Sequence, residues 1–240
     1  NYMNDIALIV DTHSNYSDVW EPCFHRLDRY CNNIKKYAFT DNAYNIPKNI
    51  IPITYDNNLS YRDQFLSCIK QVQEKYILYT SEDYILYDYV KLDEIQSLCK
   101  ILTDTNYNFV KLIKGHENVI PFRDYDNLFE IDPNDANFFA QQASVWNTRD
   151  FENIFSTAPK ENTRMQHEPM GSEICRRLGY RGLQYYSGSR KRGIVHYDSS
   201  IYPYIATAVV KGQWNLSEYY LEMLEIFQEY HIDPTIRGTR

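Results

Sequence analysis

The chain has 240 residues, a size that fits one large domain or one domain with an elaborated tail. Its hydrophobic fraction of 43% and its charged fraction of 24% are typical of a soluble globular fold. Lysine and arginine number 25 against 32 aspartate and glutamate residues, which gives a formal net charge of −7. This balance argues against bulk binding to nucleic acid or to an anionic membrane, although it is compatible with a local basic site.

No apolar stretch approaches the roughly 20 residues that a helix needs to cross a bilayer, so we expect no transmembrane segment. The first residues, NYMND, contain neither a basic start nor an apolar signal core. The five cysteines are widely spaced and form no CxxC pair. They are Cys23, Cys31, Cys68, Cys99 and Cys175. This pattern is typical of reduced thiols, and it predicts a reducing compartment and a cytoplasmic location.

The first half of the chain alternates predicted strands and helices. Four short apolar runs have the length of buried strands, over 6–10, 36–40, 50–54 and 76–79. Helices are predicted from Ser17, from a capping-box start at Ser60 and over 88–102. Strands and helices that alternate at this spacing predict an α/β fold, with a Rossmann-like, mostly parallel central sheet and helices on both faces.

The second half is less regular. Short strands are predicted over 109–113, 128–131, 138–146, 183–186 and 194–196. Helices are predicted from Thr148, over 168–178 with Gly179 as the C-cap, and over 217–231 with an apolar stripe. Because no repeat or Gly/Ser/Pro linker divides the chain, we expect one domain.

Polar side chains follow three of the N-terminal strands at their carboxyl ends. They form the segments Asp11-Thr12-His13, Asp41-Asn42 and Ser81-Glu82-Asp83. Ligands of open α/β sheets bind beyond these ends, so we expect a single cleft here. Asp11 or Asp41 could accept hydrogen bonds from ribose hydroxyls or a base N–H. The alternative is that these residues only cap helices and shape turns.

The acidic pair Glu82-Asp83 indicates a hard divalent cation. Mg²⁺ and Mn²⁺ prefer oxygen ligands, and Mg²⁺ is usually held by one or two carboxylates plus substrate phosphates. A metal-bridged diphosphate is therefore the leading hypothesis for this edge of the sheet.

Three segments together resemble the GT-A-type glycosyltransferases: the strand that runs into Ser81-Glu82-Asp83, the segment FFAQQASVWN and the segment MQHEPMGSE. In that family an N-terminal Rossmann-like half binds a nucleotide-sugar, and a D-x-D-type motif after a buried strand holds Mn²⁺ or Mg²⁺ on the diphosphate. Ser81 departs from the motif at its first position, so Asp83 is the better metal ligand. In several members a C-terminal histidine completes the metal shell, which His196 would match.

The resemblance implies a single GT-A-like domain. Residues 1–105 would form the nucleotide-sugar-binding half, 106–198 the acceptor and catalytic half, and 199–240 a C-terminal helical tail. Within the first half, the predicted donor contacts are Asp11, Thr12, Asp41 and Glu82.

Glycosyl transfer needs a base that takes the proton of the acceptor hydroxyl. Glu168 precedes Pro169, which predicts that it lies just outside the following helix, and similar family members have an acid in this region. Glu173, about one helical turn further on, is the rival base. The alternative for Glu168 is a solvated side chain that the helix dipole favours near a helix N-terminus.

Six positive charges lie within 17 residues of this acidic chain. They are Arg176, Arg177, Arg181, Arg190, Lys191 and Arg192. Gly188 and Gly193 bracket the last three, which predicts a mobile loop that closes over the diphosphate and offsets its charge through Arg190 and Arg192. The alternatives are a solvated surface or a patch for an acidic partner or a nucleic acid, of which nucleic acid is the weaker because no regular aromatic residues lie between the cations.

The sequence thus predicts a metal-assisted glycosyltransferase that moves a sugar from a nucleotide diphosphate-sugar to a glycan or other polar acceptor. One alternative is a sugar-phosphate nucleotidyltransferase. Such enzymes usually have a Gly-rich basic loop after the first strand, whereas residues 11–17 contain no Gly, Lys or Arg. The other alternative is a non-catalytic nucleotide- or glycan-binding module, which Ser81 in the acidic motif keeps open.

Overall fold

The computed structural model describes residues 3–240, with the backbone alone for residues 164–166. The strands in this part of the chain are β1 Ile6–Asp11, β2 Lys35–Thr40, β3 Ile51–Thr54, β4 Tyr76–Ser81, β5 Phe109–Lys111, β6 Val119–Pro121, β7 Leu128–Ile131, β8 Ser144–Asn147, β9 Gly182–Tyr185, β10 Lys191–Arg192, β11 His196–Tyr197, β12 Val209–Val210 and β13 Gln213–Trp214. The α-helices are α1 Ser17–Tyr30, α2 Tyr61–Ile69, α3 Leu92–Asp104, α4 Thr148–Thr157, α5 Arg164–Leu178, α6 Tyr220–Glu229 and α7 Pro234–Arg237.

The first half confirms the predicted alternation of strands and helices. β1 lies between β2 and β4 and is parallel to both, and β3 pairs with β2 in the same direction. Every residue of β1 and β4 is buried, as expected for strands that are covered on both faces. The register places Asp11 opposite Ser81, so the carboxyl ends of these two strands lie side by side.

Nine strands form the central sheet, in the order β3-β2-β1-β4-β8-β5-β9-β7-β6. β8 is antiparallel to β4 and β5, and β7 is antiparallel to β9 and β6, while the remaining ladders are parallel. Two strands of the sheet therefore run against the other seven, which confirms a mostly parallel sheet.

Helices cover both faces of this sheet, as predicted. Alternate residues of β1 and β4 point to opposite faces, so Leu8 and Leu78 join one core and Ile9 and Ile77 join the other. The first core also contains apolar residues of α1 and α3, and the second contains those of α2, α4 and α5. Burial of these two layers is the main stabilising contribution to the fold.

The strand predicted over 138–146 is wrong in its first part. β8 comprises Ser144–Asn147 alone, and Phe138 and Phe139 precede it in irregular backbone. The N–H of Phe139 donates to Ser172 Oγ at 3.0 Å instead of to a neighbouring strand. Both phenylalanines are fully buried, so their apolar character reflects core packing and not a strand.

Helix α5 also begins earlier than predicted. It starts at Arg164 and contains Pro169, so Glu168 lies within the helix and not before it. A proline removes one backbone donor but does not by itself end a helix. The prediction that residues up to Gly179 form this helix is confirmed, and Gly179 has the positive φ of 70° that is typical of a C-cap.

Residues 199–240 are not wholly helical. They contain the hairpin β12–β13, whose turn residues Lys211 and Gly212 both have positive φ angles, of 51° and 78°. A third core packs α6 and Trp214 against Val19 of α1 and Ile85. This packing brings the hairpin turn to the carboxyl ends of β1 and β4.

Two features bear on the predictions from composition. All five cysteines are buried and free. Among the described residues, no helix combines the length and the apolar character that crossing a membrane requires.

Candidate functional site

The ends of β1 and β4 are tied together by a buried hydrogen-bond network around Glu82. Thr12 Oγ1 donates to Glu82 Oε1 at 3.1 Å, and the Ser81 hydroxyl lies 2.8 Å from Glu82 Oε2. Trp20 Nε1 donates to Thr12 Oγ1 at 2.9 Å, which fixes the hydroxyl orientation. Thr12 is 1% exposed and Glu82 3% exposed, so this network forms the rear wall of the site.

Asp83 lies in front of this wall, in a cavity of about 160 Å³. Tyr16, Lys211 and Gly212 line the same cavity, so the hairpin turn places an exposed cation near the acidic pair. Arg237 supports the turn, since its Nη1 donates to Gly212 O at 3.0 Å while its Nε donates to Asp18 at 2.9 Å. We call this cavity, defined by Tyr16, Asp83 and Lys211, the Asp83 cavity.

Asp41 organises the loop that follows β1. Its carboxylate accepts from the backbone N–H of Ser14 at 2.7 Å and from the Ser14 hydroxyl at 2.6 Å, and Asn57 Nδ2 donates to it at 3.2 Å. Burial alone would raise the pKa of Asp41, but these hydrogen bonds and the nearby His13 outweigh it and lower the pKa to about 2. Asp41 is therefore ionised at neutral pH.

A neighbouring cavity of about 190 Å³ lies between β1 and α2. Asp11, His13, Tyr55 and Tyr61 are among its lining residues. Tyr79 Oη lies 3.4 Å from Asp11 Oδ2, and Tyr55 Oη donates to the carbonyl of Thr12 at 2.7 Å. Polar groups and aromatic rings thus share this wall, a combination that fits a nucleoside.

A larger cavity of about 480 Å³ opens beyond Tyr84, the residue after Asp83. We call it the Glu168 cavity. Glu168 and His196, which the sequence analysis predicted in different roles, both line it. Glu168 Oε1 accepts from the backbone N–H of Gln141 at 2.7 Å, so the carboxylate is held by a backbone donor. His196 Nδ1 lies 2.9 Å from Glu218, which fixes its ring.

The two candidate bases differ in position. Glu168 lies on the α5 face that meets the Glu168 cavity and is partly buried. The side chain of Glu173 is 47% exposed and forms an ion pair with Arg177 one turn further along the helix. Glu173 does not line the cavity, so the geometry favours Glu168 as the group that meets a substrate.

A chain of polar groups begins at the same cavity, where Lys111 and His116 are buried lining residues. Lys111 Nζ, at the end of β5, lies 2.7 Å from His116 Nε2 and 2.8 Å from Asn137 O. His116 Nδ1 in turn lies 2.8 Å from Asp135 Oδ2. Burial lowers the pKa of Lys111 to about 7, although the negative charges of Asp135 and Glu168 counteract it. Burial also lowers the pKa of His116, and the neighbouring Lys111 adds to this effect.

The basic segment around Arg190 forms a short hairpin, β10–β11, and the mobility expected for it stays a prediction. Lys191 pairs with Tyr197 and Arg192 with His196. Arg192 is 9% exposed and donates to Asp198 at 3.0 Å and Glu222 at 2.7 Å, and Arg190 donates to Asp198 at 3.0 Å. Neither arginine lines the Asp83 cavity. Their role as phosphate contacts stays a prediction, and the structure gives both a role in anchoring the hairpin.

The structure places the two predicted metal ligands apart. Asp83 lines the Asp83 cavity, whereas His196 lines the Glu168 cavity. Among the described residues, no group of three or more His, Cys, Asp or Glu side chains could hold a metal ion by itself. Asp83 does fit a cation that is held by one carboxylate together with phosphate oxygens of a ligand, which is the usual arrangement for Mg²⁺.

Sequence reasoning missed Lys211, Lys111, Lys114 and His116. The Lys211-Gly212 dipeptide, flanked by Val209–Val210 and Gln213–Trp214, was a hairpin signal that could have been used. Nothing in the sequence marked Lys111, because a lysine in a short apolar run is usually a strand residue that points to solvent.

No family model matches the sequence, and no curated protein matches it. Solved structures share its fold at low identity. Residues 1–349 of S. aureus TarS align with a TM-score of 0.52 and 12% identity, covering 86% of this chain and 61% of that chain. A CMP:2-keto-3-deoxy-manno-octonic acid synthetase, solved with CTP, aligns with a TM-score of 0.50 and 10% identity, covering 95% of this chain and all of that chain.

These similarities confirm the predicted fold class, an α/β GT-A-like fold with a large, mostly parallel, Rossmann-type sheet. At these identities the comparison extends to the fold alone.

Proposed function

We propose that this chain is a glycosyltransferase that uses a nucleotide diphosphate-sugar as donor and a carbohydrate or other polar molecule as acceptor. The observation that carries the proposal is the side-by-side arrangement of two polar cavities, with Asp83 in one and the next residue, Tyr84, in the other. A donor diphosphate in the first cavity would direct its sugar towards the second.

Each part of the donor has a matching surface. The nucleoside would lie in the cavity lined by Asp11, Tyr55 and Tyr61, and the diphosphate in the Asp83 cavity. Lys211 would offset the charge of the leaving diphosphate. Asp83 would hold Mn²⁺ or Mg²⁺ together with phosphate oxygens, and the ion would supply further charge compensation there. We leave His196 outside this metal site, because it lines the Glu168 cavity and not the Asp83 cavity.

Glu168 would act as the general base. It would take the proton of the acceptor hydroxyl while the acceptor oxygen forms a bond to the anomeric carbon and the bond from that carbon to the diphosphate oxygen breaks. A base of this kind is worth about 10²–10⁴-fold in rate. The volume of the Glu168 cavity, about 480 Å³, is in the range of sites that hold small ligands.

A sugar-phosphate nucleotidyltransferase is the second candidate. The observation that favours it is the fold shared with the CTP-bound synthetase. The loop after β1 argues against it. Residues 12–16 lead through a short 3₁₀ turn, Ser14–Tyr16, into α1, and they contain no glycine, lysine or arginine to cradle a triphosphate.

The test is a pair of assays on the whole chain, followed by mass spectrometry. In the first, a panel of UDP-, GDP- and CDP-sugars with Mn²⁺ is incubated with a mixture of neutral and acidic carbohydrate acceptors, and we expect a product that has gained one sugar. In the second, nucleoside triphosphates are incubated with sugar phosphates, and we expect no nucleotide-sugar. Product in the second assay alone would replace the proposal. Binding of nucleotide-sugars without product in either assay would favour a non-catalytic module.

A further inference from the structure

The Glu168 cavity is lined by more basic than acidic side chains, although the chain as a whole is acidic. Its basic lining residues are Lys111, Lys114, His116 and His196. Among the described residues that line it, Glu168 is the acidic one. This bias requires an explanation, because burial of an ammonium group is unfavourable unless an anion or hydrogen-bond acceptors compensate it.

Lys111 is the more constrained of the two lysines. It is 1% exposed, and its Nζ has two acceptors, His116 Nε2 and Asn137 O. The contact of His116 Nδ1 with Asp135 favours the tautomer in which Nδ1 donates to the carboxylate and Nε2 accepts from Lys111. An ammonium has three N–H groups, so one remains for a molecule in the cavity.

No carboxylate compensates Lys111 directly. Glu168 accepts from Gln141 and Asp135 contacts His116, and among the described side chains neither carboxylate forms an ion pair with Lys111. The negative charges of Asp135 and Glu168 raise the pKa of Lys111 without direct contact. The other titratable groups near Lys111 are Cys175 on α5 and His116 on the loop after β5. The flanking strands contribute Ser144 and Gln184, which do not titrate.

Lys114 lies three residues further on and lines the same cavity. Its Nζ is 4.7 Å from the ring centre of Tyr186 and 4.6 Å from that of Tyr197, so two aromatic faces hold the ammonium. The carboxylate that it approaches, Glu117 at 3.4 Å, has a side chain that is 79% exposed. Exposed pairs of this kind contribute little, so Lys114 can turn to an anionic ligand at small cost.

We infer that the molecule bound in this cavity carries an acidic group, a carboxylate or a phosphate, that binds Lys111 and Lys114 while a hydroxyl group of the same molecule meets Glu168. The inference rests on the proposed function, in which this cavity takes the acceptor, and it names the acceptor class: a sugar acid or a phosphorylated polyol or sugar. Gln142 lines the same cavity, but its Oε1 is buried and has no hydrogen-bond partner among the described residues, so it adds no contact to this inference.

The protonation of Lys111 should make the affinity for the acidic ligand depend on pH. Because burial lowers the pKa of Lys111 to about 7, the free protein loses this charge as the pH rises through neutrality. An acid group bound to the ammonium favours the charged form. Its affinity should therefore fall about tenfold between pH 6 and pH 8, following the protonated fraction of a group with a pKa of about 7. A purely structural lysine would give no such dependence.

The experiment is isothermal titration of the whole chain with three probes, glucose, glucuronate and glucose 6-phosphate. We expect both acids, or one of them, to bind at least tenfold more tightly than glucose, and we expect glucuronate to show the decrease with pH. Binding of glucuronate alone would identify a carboxylate site, and binding of glucose 6-phosphate alone a phosphate site. Equal affinity for all three probes would overturn the inference.

Two variants locate the effect. Lys111→Met should lower the affinity for the acid probes at least tenfold, and Lys114→Met should lower it at least threefold. Lys36→Met should leave this affinity unchanged. Lys36 is the matched control, since it is also buried but contacts the carbonyls of Asn32 and Ile34. If Lys111→Met does not fold, the inference is still tested by the acid affinity of Lys114→Met and by the pH dependence of acid binding to the parent chain. Unaltered acid binding in Lys114→Met with no pH dependence in the parent would refute the assignment.

Titration with UDP, GDP and CDP in the presence of Mn²⁺ separates this inference from the proposed function. Binding of a nucleoside diphosphate without a preference for acids would overturn the inference alone. Absence of nucleotide binding would instead overturn the proposed function.

Discussion

The Asp83 cavity and the Glu168 cavity hold their charges in different ways. In the first, Asp83 is half-buried after a strand end and Lys211 is exposed on a hairpin turn, while the buried Glu82 carboxylate behind them accepts from Thr12 and Ser81. In the second, Lys111 and His116 are almost completely buried, and their hydrogen bonds lead to Asp135 and Asn137.

The difference has a functional meaning. Surface charges adjust to a ligand and are screened by salt, which suits a diphosphate that arrives with its own counter-ion and leaves after each turnover. Buried groups are fixed in place by their partners, which suits selection of one acceptor and alignment of its hydroxyl. We therefore expect changes in the Glu168 cavity to affect the chemical step and changes in the Asp83 cavity to affect donor binding.

The largest effect is expected from Glu168→Gln. The amide keeps the shape and the hydrogen bond from Gln141 but cannot take a proton, so transfer should fall about 10²–10⁴-fold while nucleotide affinity is unchanged. The measurement is the initial rate of sugar transfer beside titration with nucleoside diphosphate. Glu173→Gln is the control, because Glu173 is exposed and paired with Arg177. If Glu173→Gln loses transfer and Glu168→Gln does not, the base has been assigned to the wrong carboxylate.

The second prediction concerns the Asp83 cavity alone. A nucleoside diphosphate with Mn²⁺ should raise the Tm of the parent chain more than the nucleotide without metal. Asp83→Asn should remove most of this metal-dependent increase, since an amide is a much poorer ligand for a hard cation. Asp88→Asn, at an exposed position on the same segment, should behave as the parent. An unchanged metal response in Asp83→Asn would exclude this residue as the metal ligand.

The Asp83 cavity could be predicted from the sequence better than the Glu168 cavity, because the two are built from different kinds of contact. The strand-end positions of Asp11, Asp41 and Asp83 depend on local apolar runs that stop at polar residues, and the observed register bears out Asp11 beside Ser81. The Glu168 cavity depends on α5 and on β5, which pairs with β8 in antiparallel and with β9 in parallel direction, and these elements are distant in sequence. Local patterns do not specify such pairings.

Two features that the sequence does not predict have specific physical causes. The strand predicted at Phe138 and Phe139 is wrong because buried apolar residues give the same pattern in a strand and in a packed loop. The partners of the cations around Arg190 are the second feature. Asp198 lies six residues after Arg192, but Glu222 comes from α6, and the sequence does not reveal that contact.

The third prediction tests the loop beside the nucleoside cavity. The pKa of Asp41 is about 2 in the folded chain, below its ordinary 3.8, so folding favours the ionised form. The resulting stabilisation is complete above about pH 4 and is lost as the pH falls towards 2, and solvent screening keeps it small. Urea unfolding from pH 5 downwards should thus show a smaller loss of stability in Asp41→Asn than in the parent. Asp124→Asn, at an exposed position, should follow the parent curve; a parallel Asp41→Asn curve would contradict the prediction.

The smallest expected effect distinguishes the two basic segments. Lys211 lines the Asp83 cavity, whereas Arg190 is paired with Asp198 on the hairpin surface. Lys211→Ala should lower the affinity for a nucleoside diphosphate about threefold to tenfold, which is the worth of one partly exposed charge-assisted contact, and leave nucleoside affinity unchanged. Arg190→Ala should alter neither affinity. Titrations with UDP and uridine at two salt concentrations would measure both, since an exposed charge contact weakens as salt rises. If Arg190→Ala weakens diphosphate binding and Lys211→Ala does not, the hairpin closes over the donor as the sequence predicted. Arg190, and not Lys211, would then be the residue that offsets the charge of the diphosphate.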